Sequence, residues 1–215
     1  MKSPYSNFVV IDVETGGLPN ATKKAVFDVA LTEVAFVAIN KDLEIIDQKS
    51  WMIKPYSDKA EYSKGAEIAS GISKQMCIDQ GMDLKVAVQE MIIFLKKYKE
   101  GSSLPILLGH NFCTFDSNFM VNAFEFCKED LLKYVNPDPE DTLKWGRLCW
   151  TESNNYKLGT CCQNAGITLK DAHRALTDTI ATAELWIYFM KNLRGTGTSI
   201  INEEAPKKFR HTFEL

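Results

Sequence analysis

Asn7-Phe8-Val9-Val10-Ile11-Asp12-Val13-Glu14-Thr15-Gly16-Gly17-Leu18 is the stretch from which the rest of the chain is read. From Asn7 to Ile11 apolar, mostly β-branched residues run together, the pattern of a buried strand. Gly16-Gly17-Leu18-Pro19-Asn20 breaks that strand and opens a polar loop carrying Lys23 and Lys24. Between the two lie Asp12 and Glu14. In an extended chain, side chains at i and i+2 point to one face, with Cα atoms roughly 6.5–7 Å apart. Two carboxylates so placed repel each other unless a cation sits between them. An all-oxygen site of this kind suits Mg²⁺ or Mn²⁺ rather than a soft metal. A bare Asp-x-Glu is more often an exposed acidic strand end. Here the apolar run before it and the glycine turn after it favour a ligand site at the carboxyl end of a buried strand.

Working outward, residues 29–39 and 43–53 are two more strand-like stretches. Asn40-Lys41-Asp42 between them suits a tight turn, so the first three strands form an antiparallel meander. The period then changes. Leu84, Val88, Met91, Leu95 and Tyr98 recur at helical spacing among lysines, which predicts an amphipathic helix. Residues 105–108 form a short fourth strand ended by Gly109, residues 115–128 a helix, and Pro137-Asp138-Pro139 a loop. Residues 156–166 hold a short helix closed by Gly166, and residues 175–193 a long helix with a broad apolar face. Strands followed by alternating helices and strands predict an α/β domain with a mixed sheet. Gly195-Thr196-Gly197-Thr198-Ser199 reads as a linker, so the domain is assigned to residues 1–194 and a flexible polar tail to 195–215.

Bulk properties bound the function without choosing it. A chain of 215 residues buries a sizeable core. A net charge of −3 argues against coating nucleic acid by electrostatics alone. It leaves open an enzyme that meets phosphates through bound metal ions, since that site needs clustered carboxylates. The six cysteines show no Cys-x-x-Cys pair and read as reduced thiols of a cytosol. With no signal peptide pattern and no apolar run of about 18–20 residues, a soluble, cytoplasmic protein is expected.

Two further segments carry chemistry-bearing residues. In Gly109-His110-Asn111-Phe112-Cys113-Thr114-Phe115-Asp116, Asp116 falls near the start of a helix. Read alone, it is an acid favoured there by the helix dipole, and His110 a packed or hydrogen-bonded histidine. In His173-Arg174-Ala175-Leu176-Thr177-Asp178, five helical residues would rotate about 500°, leaving the two side chains roughly 140° apart. His173 therefore belongs on the loop before the helix, with Asp178 in its early turns.

Taken together, these segments resemble the DEDDh 3′–5′ exonuclease family, which includes polymerase proofreading subunits and RNase T-like enzymes. The first resembles D-x-E-T-x-G-L, as Asp12-Val13-Glu14-Thr15-Gly16-Gly17-Leu18. The second is similar to H-N-x-x-F-D, with one extra residue between Asn111 and Phe115, and the third matches H-R-A-x-x-D from His173 to Asp178. Ser70-Gly71-Ile72-Ser73 and Asp141-Thr142-Leu143 are smaller echoes in the same order. The resemblance implies an RNase H-like mixed sheet, the antiparallel three-strand meander extended by parallel strands and flanked by helices. It also implies two Mg²⁺ or Mn²⁺ ions per site, one activating water and the other stabilising the leaving 3′ oxygen. Asp12 would bridge both ions, Glu14 and Asp178 would complete one site, and Asp116 would support the other. His173 has the intrinsic pKa to take the water's proton near neutral pH. Thr15, Gly16 and Leu18 would cradle the terminal nucleotide, with Asn111 and Phe115 flanking the next.

Lys23, Lys24, Lys157 and Arg174 are candidate phosphate partners. Trp51, Trp145 and Trp150 are candidate stacking platforms, with Trp186 better read as core. The expected activity is removal of nucleoside 5′-monophosphates from single-stranded 3′ ends, DNA ahead of RNA, in proofreading or repair. An RNA-trimming or oligoribonucleotide-degrading enzyme is the nearest alternative, because these motifs touch backbone and metals rather than the 2′-hydroxyl. A non-catalytic nucleic-acid or polymerase-binding module is the second. In the tail, residues 206–213 (Pro-Lys-Lys-Phe-Arg-His-Thr-Phe) are a candidate docking peptide for a polymerase or clamp, set against the plainer reading of a solvated end.

Overall fold

The computed structural model of the protein describes residues 7–169 and 174–195. In chain order the strands and helices are β1 (Phe8–Thr15), β2 (Leu31–Ile39), β3 (Ile45–Met52), α1 (Lys64–Ser70), α2 (Lys74–Gln80) and α3 (Leu84–Lys97). There follow β4 (Ile106–Gly109), α4 (Asp116–Phe126), a 3₁₀ turn (Leu131–Lys133), β5 (Glu140–Asp141), α5 (Thr142–Cys149), α6 (Leu158–Asn164) and α7 (Ala175–Leu193). The strands form one mixed sheet in the order β3-β2-β1-β4-β5. β1, β2 and β3 pair antiparallel, while β4 and β5 add in parallel. The meander and the three long helices agree with the periodicity of the sequence, and the parallel extension agrees with what the family resemblance implied.

Four elements were not foreseen: α1, α2, α5 and β5, none longer than eight residues. Two turns are too few to show a hydrophobic period, so only caps announce such helices. Ser63 accepts the Ala66 N–H ahead of α1, and Gly71 closes it in the left-handed region at φ 70°. Ser73 and Asp141 cap α2 and α5 in the same way.

The sheet separates two apolar layers. Val9, Ile11 and Val13 of β1 join Val34, Phe36 and Ala38 of β2 under α3 and α4. Phe8 and Val10 join Val37 and Ile39 under α7 and α6. All nine residues of β2 are buried, as a central strand covered on both faces requires. Trp51 and Trp186 are core side chains, and Trp145 and Trp150 pack on Trp186 and Phe189 of α7. The stacking role considered for Trp51 is therefore corrected, because its ring is buried in the core; Trp145 and Trp150 are half-buried and rest against α7.

The six cysteines are free thiols, with Cys77, Cys161 and Cys162 buried. Among the described residues no helix is long and apolar enough to cross a membrane. The tail, including the candidate docking peptide, lies outside the described residues beyond Gly195, as does His173.

Candidate active site

Period-two alternation places Asp12 and Glu14 on the α7 side of β1, continuing the row begun by Phe8 and Val10. Across the ladder, Asp12 faces Ala35 and Glu14 faces Glu33. One end of this face is thus apolar and the other acidic. α7 is graded to match. Trp186 packs on Phe8 with ring centroids 5.1 Å apart. Asp178 lies eight residues earlier, about 12 Å along the helix, and Asp12 lies four residues past Phe8, about 13 Å along the strand. With α7 running antiparallel to β1, the ring contact at one end brings the carboxylates together at the other. Asp12, Glu14 and Asp178 each offer an oxygen within 4.8 Å of the others.

Asp116 reaches the site from the other layer. β4 pairs with β1 only from Phe8 to Val10, so beyond that point the edge of β1 is open. Asp116, the first residue of α4, fills it: its Oδ1 accepts the Val13 N–H at 3.1 Å, and the residue is 3% exposed. The loop between is held by Asp141, which accepts the N–H groups of Asn111 (2.8 Å) and Leu143 (3.0 Å). Asn111 takes a left-handed backbone at φ 65° and accepts a hydrogen bond from the Thr114 hydroxyl. That local turn absorbs the extra residue of the second motif and leaves Asp116 at the start of α4. Phe115 packs on Phe119 at 5.3 Å.

The carboxyls sit in an unfavourable field. Burial, then the charges of Asp116, Glu14 and Asp178, pushes Asp12 well above the usual carboxylate range. Glu14 is pushed up to about 7 by burial, then by Asp178, Glu33 and Asp116, with Arg174 opposing. Burial also lifts Asp116 to about 7, against the Val13 N–H that favours its charged form. A divalent cation inverts this balance, because a bound ion is the largest local charge and rewards ionised oxygens. The donor set, oxygen-only and converging from two strand positions and a helix, fits such an ion.

Beside the carboxylates opens a cleft of about 520 Å³ lined by Glu14, Thr15, Gly17 and Leu18 on one side and Ser63, Gly65, Ala66 and Ala69 on the other. Leu18 is 76% exposed at its rim. The second wall is α1, which sequence reasoning missed although Ser70-Gly71-Ile72-Ser73 marks its end. It docks closely because Gly16 has no side chain: a Cβ there would stand 2.2 Å from the Glu61 carbonyl oxygen. The Ser63 N–H donates to the Gly16 carbonyl at 2.7 Å. A separate groove of about 480 Å³ is lined by Pro19, Asn20, Lys23, Lys24, Ala25, Thr114, Asn118 and Asn122.

Other candidates are engaged elsewhere. Lys23 pairs with Glu61, Lys24 with Glu125, and Arg174 with Glu33. Lys157 stands at the start of α6. His110 contacts the Thr142 hydroxyl through Nδ1 (2.9 Å) and the Tyr156 carbonyl through Nε2 (2.8 Å). Burial holds its pKa below the ordinary value. Because a carbonyl can only accept, Nε2–H donates to that of Tyr156, and His110 ties the end of β4 to the start of α5 and to the segment ahead of α6. Glu33, buried and opposite Glu14, was not foreseen. Its signal was a lone acid within an otherwise uncharged strand, which demands a partner.

Comparison with known proteins places the chain in a family. The RNase_T family profile, described as exonuclease, matches residues 9–186. The chain is 32% identical over 196 residues to the PolC-type DNA polymerase III of Bacillus subtilis, covering 91% of this chain and 12% of that protein. It is 33% identical over 180 residues to the PolC-type DNA polymerase III of Listeria monocytogenes, covering 84% of this chain and 11% of that one. The chain thus spans only a small part of the length of these curated relatives. Among solved structures, a zinc-bound exonuclease I–single-stranded DNA complex of E. coli superposes with a TM-score of 0.73 at 20% identity, covering 88% of this chain and 41% of that chain. That likeness establishes the fold, and the match over residues 9–186 establishes the lineage: this chain belongs to the RNase T exonuclease family.

Proposed function

We propose that the chain is a divalent-metal-dependent 3′–5′ exonuclease that releases nucleoside 5′-monophosphates from single-stranded 3′ ends, DNA ahead of RNA. The observation that carries this reading is the convergence of Asp12, Glu14 and Asp178, with Asp116 on the adjoining strand edge, beside an apolar cleft. The similarity to PolC-type DNA polymerases supports DNA as substrate and proofreading or repair as the setting. The free thiols support a cytoplasmic location.

Asp12, Glu14 and Asp178 would hold one Mg²⁺ or Mn²⁺ ion, and Asp116 together with Asp12 a second. Bound ions of this kind lower the pKa of water and neutralise charge on a phosphate. The protein's own contribution is to orient and exclude. Leu18 and the small residues of α1 grip the terminal nucleoside by apolar contact, leaving its phosphate toward Glu14. The Thr15 hydroxyl, which donates to the Gly17 carbonyl at 2.8 Å, stiffens the turn beneath it. Asn111 and Phe115, ahead of α4, flank the preceding nucleotide. His173, two residues before the first residue of α7, takes the proton of the attacking water. A docking role for the tail beyond residue 195 toward a polymerase or clamp remains part of this proposal, tested by pull-down after deletion of residues 195–215.

The test is a ladder assay on 5′-labelled single-stranded DNA with Mg²⁺ or Mn²⁺. Wild type shortens the label from its 3′ end, while Asp12→Ala is inactive with an unchanged unfolding transition. Unchanged laddering by Asp12→Ala would refute the site.

A further inference from the structure

Among the described residues α7, like α4 and α6, begins without a side-chain cap of its own. Its N-cap residue, Arg174, is extended and makes no side-chain cap bond, whereas α1, α2 and α3 are each capped by their own Ser or Asp. The missing acceptor comes from another element. Glu33 of β2 accepts the Ala175 N–H through Oε2 at 3.2 Å. The same carboxylate takes the Arg174 Nε–H on Oε2 at 3.2 Å and the Nη2–H on Oε1 at 3.0 Å. Three donors at the start of one helix, two on the side chain of its N-cap residue and one on the backbone of its first residue, thus converge on a carboxylate that is 3% exposed. A local Ser or Asp would satisfy the helix end equally well. It would not tie the helix to the sheet.

The position of this tether matters. Glu33 lies directly opposite Glu14 in the β1–β2 register. Asp178 lies three residues beyond Ala175, in the first turn of α7. A fork-to-fork Arg–carboxylate contact is rigid and directional. Loss of the tether frees the turn that carries Asp178, while the strand carrying Asp12 and Glu14 stays in the sheet. Placing a further carboxylate beside an acidic cluster is electrostatically unfavourable, and Arg174 neutralises it. Resting on the proposed metal-dependent function, we infer that the Glu33–Arg174 pair is a positioning device that sets Asp178 against Asp12 and Glu14 at the spacing a divalent ion requires.

Charge and position make opposite predictions for one variant. Arg174→Gln removes a positive charge near the carboxylates, so electrostatics alone would tighten cation binding. Loss of positioning would weaken it. Mn²⁺ binding to the full chain is measured by EPR without nucleic acid, for wild type, Arg174→Gln, Glu33→Gln and Asp83→Ala. The last removes the cap of α3, away from the site, and controls for general loss of stability. The expected result is an Mn²⁺ dissociation constant raised about tenfold in both Arg174→Gln and Glu33→Gln, the scale seen when groups supporting metal ligands are lost. Arg174→Lys should recover part of the loss, and Asp83→Ala should lower Tm with unchanged Mn²⁺ affinity. Affinity in Arg174→Gln equal to or tighter than wild type would overturn the inference and leave the exonuclease reading intact. Wild type that binds Mn²⁺ but degrades no DNA would remove that activity and leave the positioning role to be judged by the Mn²⁺ data.

Discussion

Replacing Asp116 by Asn should stabilise the metal-free protein and inactivate it at the same time. Asp116 is 3% exposed and its carboxyl is raised to about 7 from an ordinary 3.8, chiefly by burial. The folded state therefore keeps this proton up to about pH 7, while the unfolded chain releases it near pH 4. Between those values the folded state binds more protons, so stability falls as pH rises and stays low above the folded pKa. The difference amounts to on the order of 4 kcal/mol at its plateau. Asn carries no charge to desolvate and still offers an oxygen to the Val13 N–H. In chelating buffer Asp116→Asn should match wild type near pH 4, gain steadily across the interval, and exceed it by on the order of 4 kcal/mol at about pH 8. Urea unfolding followed through the buried Trp51 and Trp186 measures this. Saturating Mn²⁺ should reverse the order, because a ligand that binds the native state stabilises only the protein able to hold it. Equal stability at the alkaline end, or a gap independent of pH, would refute the account of this carboxylate.

Other outcomes follow from the same geometry. His173→Ala should slow DNA turnover by about 10²–10⁴-fold and flatten the pH–rate profile near the histidine pKa, with Mn²⁺ affinity by EPR unchanged. Ala66→Trp, which fills the cleft opposite Leu18, should raise KM for a single-stranded 3′ end without altering Mn²⁺ binding; steady-state kinetics against oligomer concentration decide it. Gly16→Ala forces a Cβ to within 2.2 Å of the Glu61 carbonyl oxygen, so it should displace α1, lower Tm and raise KM together. Matched DNA and RNA oligomers should be turned over at different rates, DNA faster; faster RNA decay would move the enzyme to RNA trimming.

Much of the molecule is written in local pattern. Period-two alternation placed Asp12 and Glu14 on one face of a buried strand, and a 3.6-residue period bounded the helix that carries Asp178. Such patterns report which face of an element is apolar. They do not report what covers it. That Asp178 meets Asp12 depends on Trp186 seating on Phe8 across the layer. Asp116 belongs to the site because β4 stops short and leaves the Val13 N–H for its carboxylate. The wall opposite Leu18 comes from α1, too short to show a period, and Glu33 finds its partner in Arg174, far along the chain. The sequence by itself determined the strand, the carboxylates and the helix that holds the last of them. Only the tertiary structure decided their distances and their field, because those depend on which elements stack and where each ends.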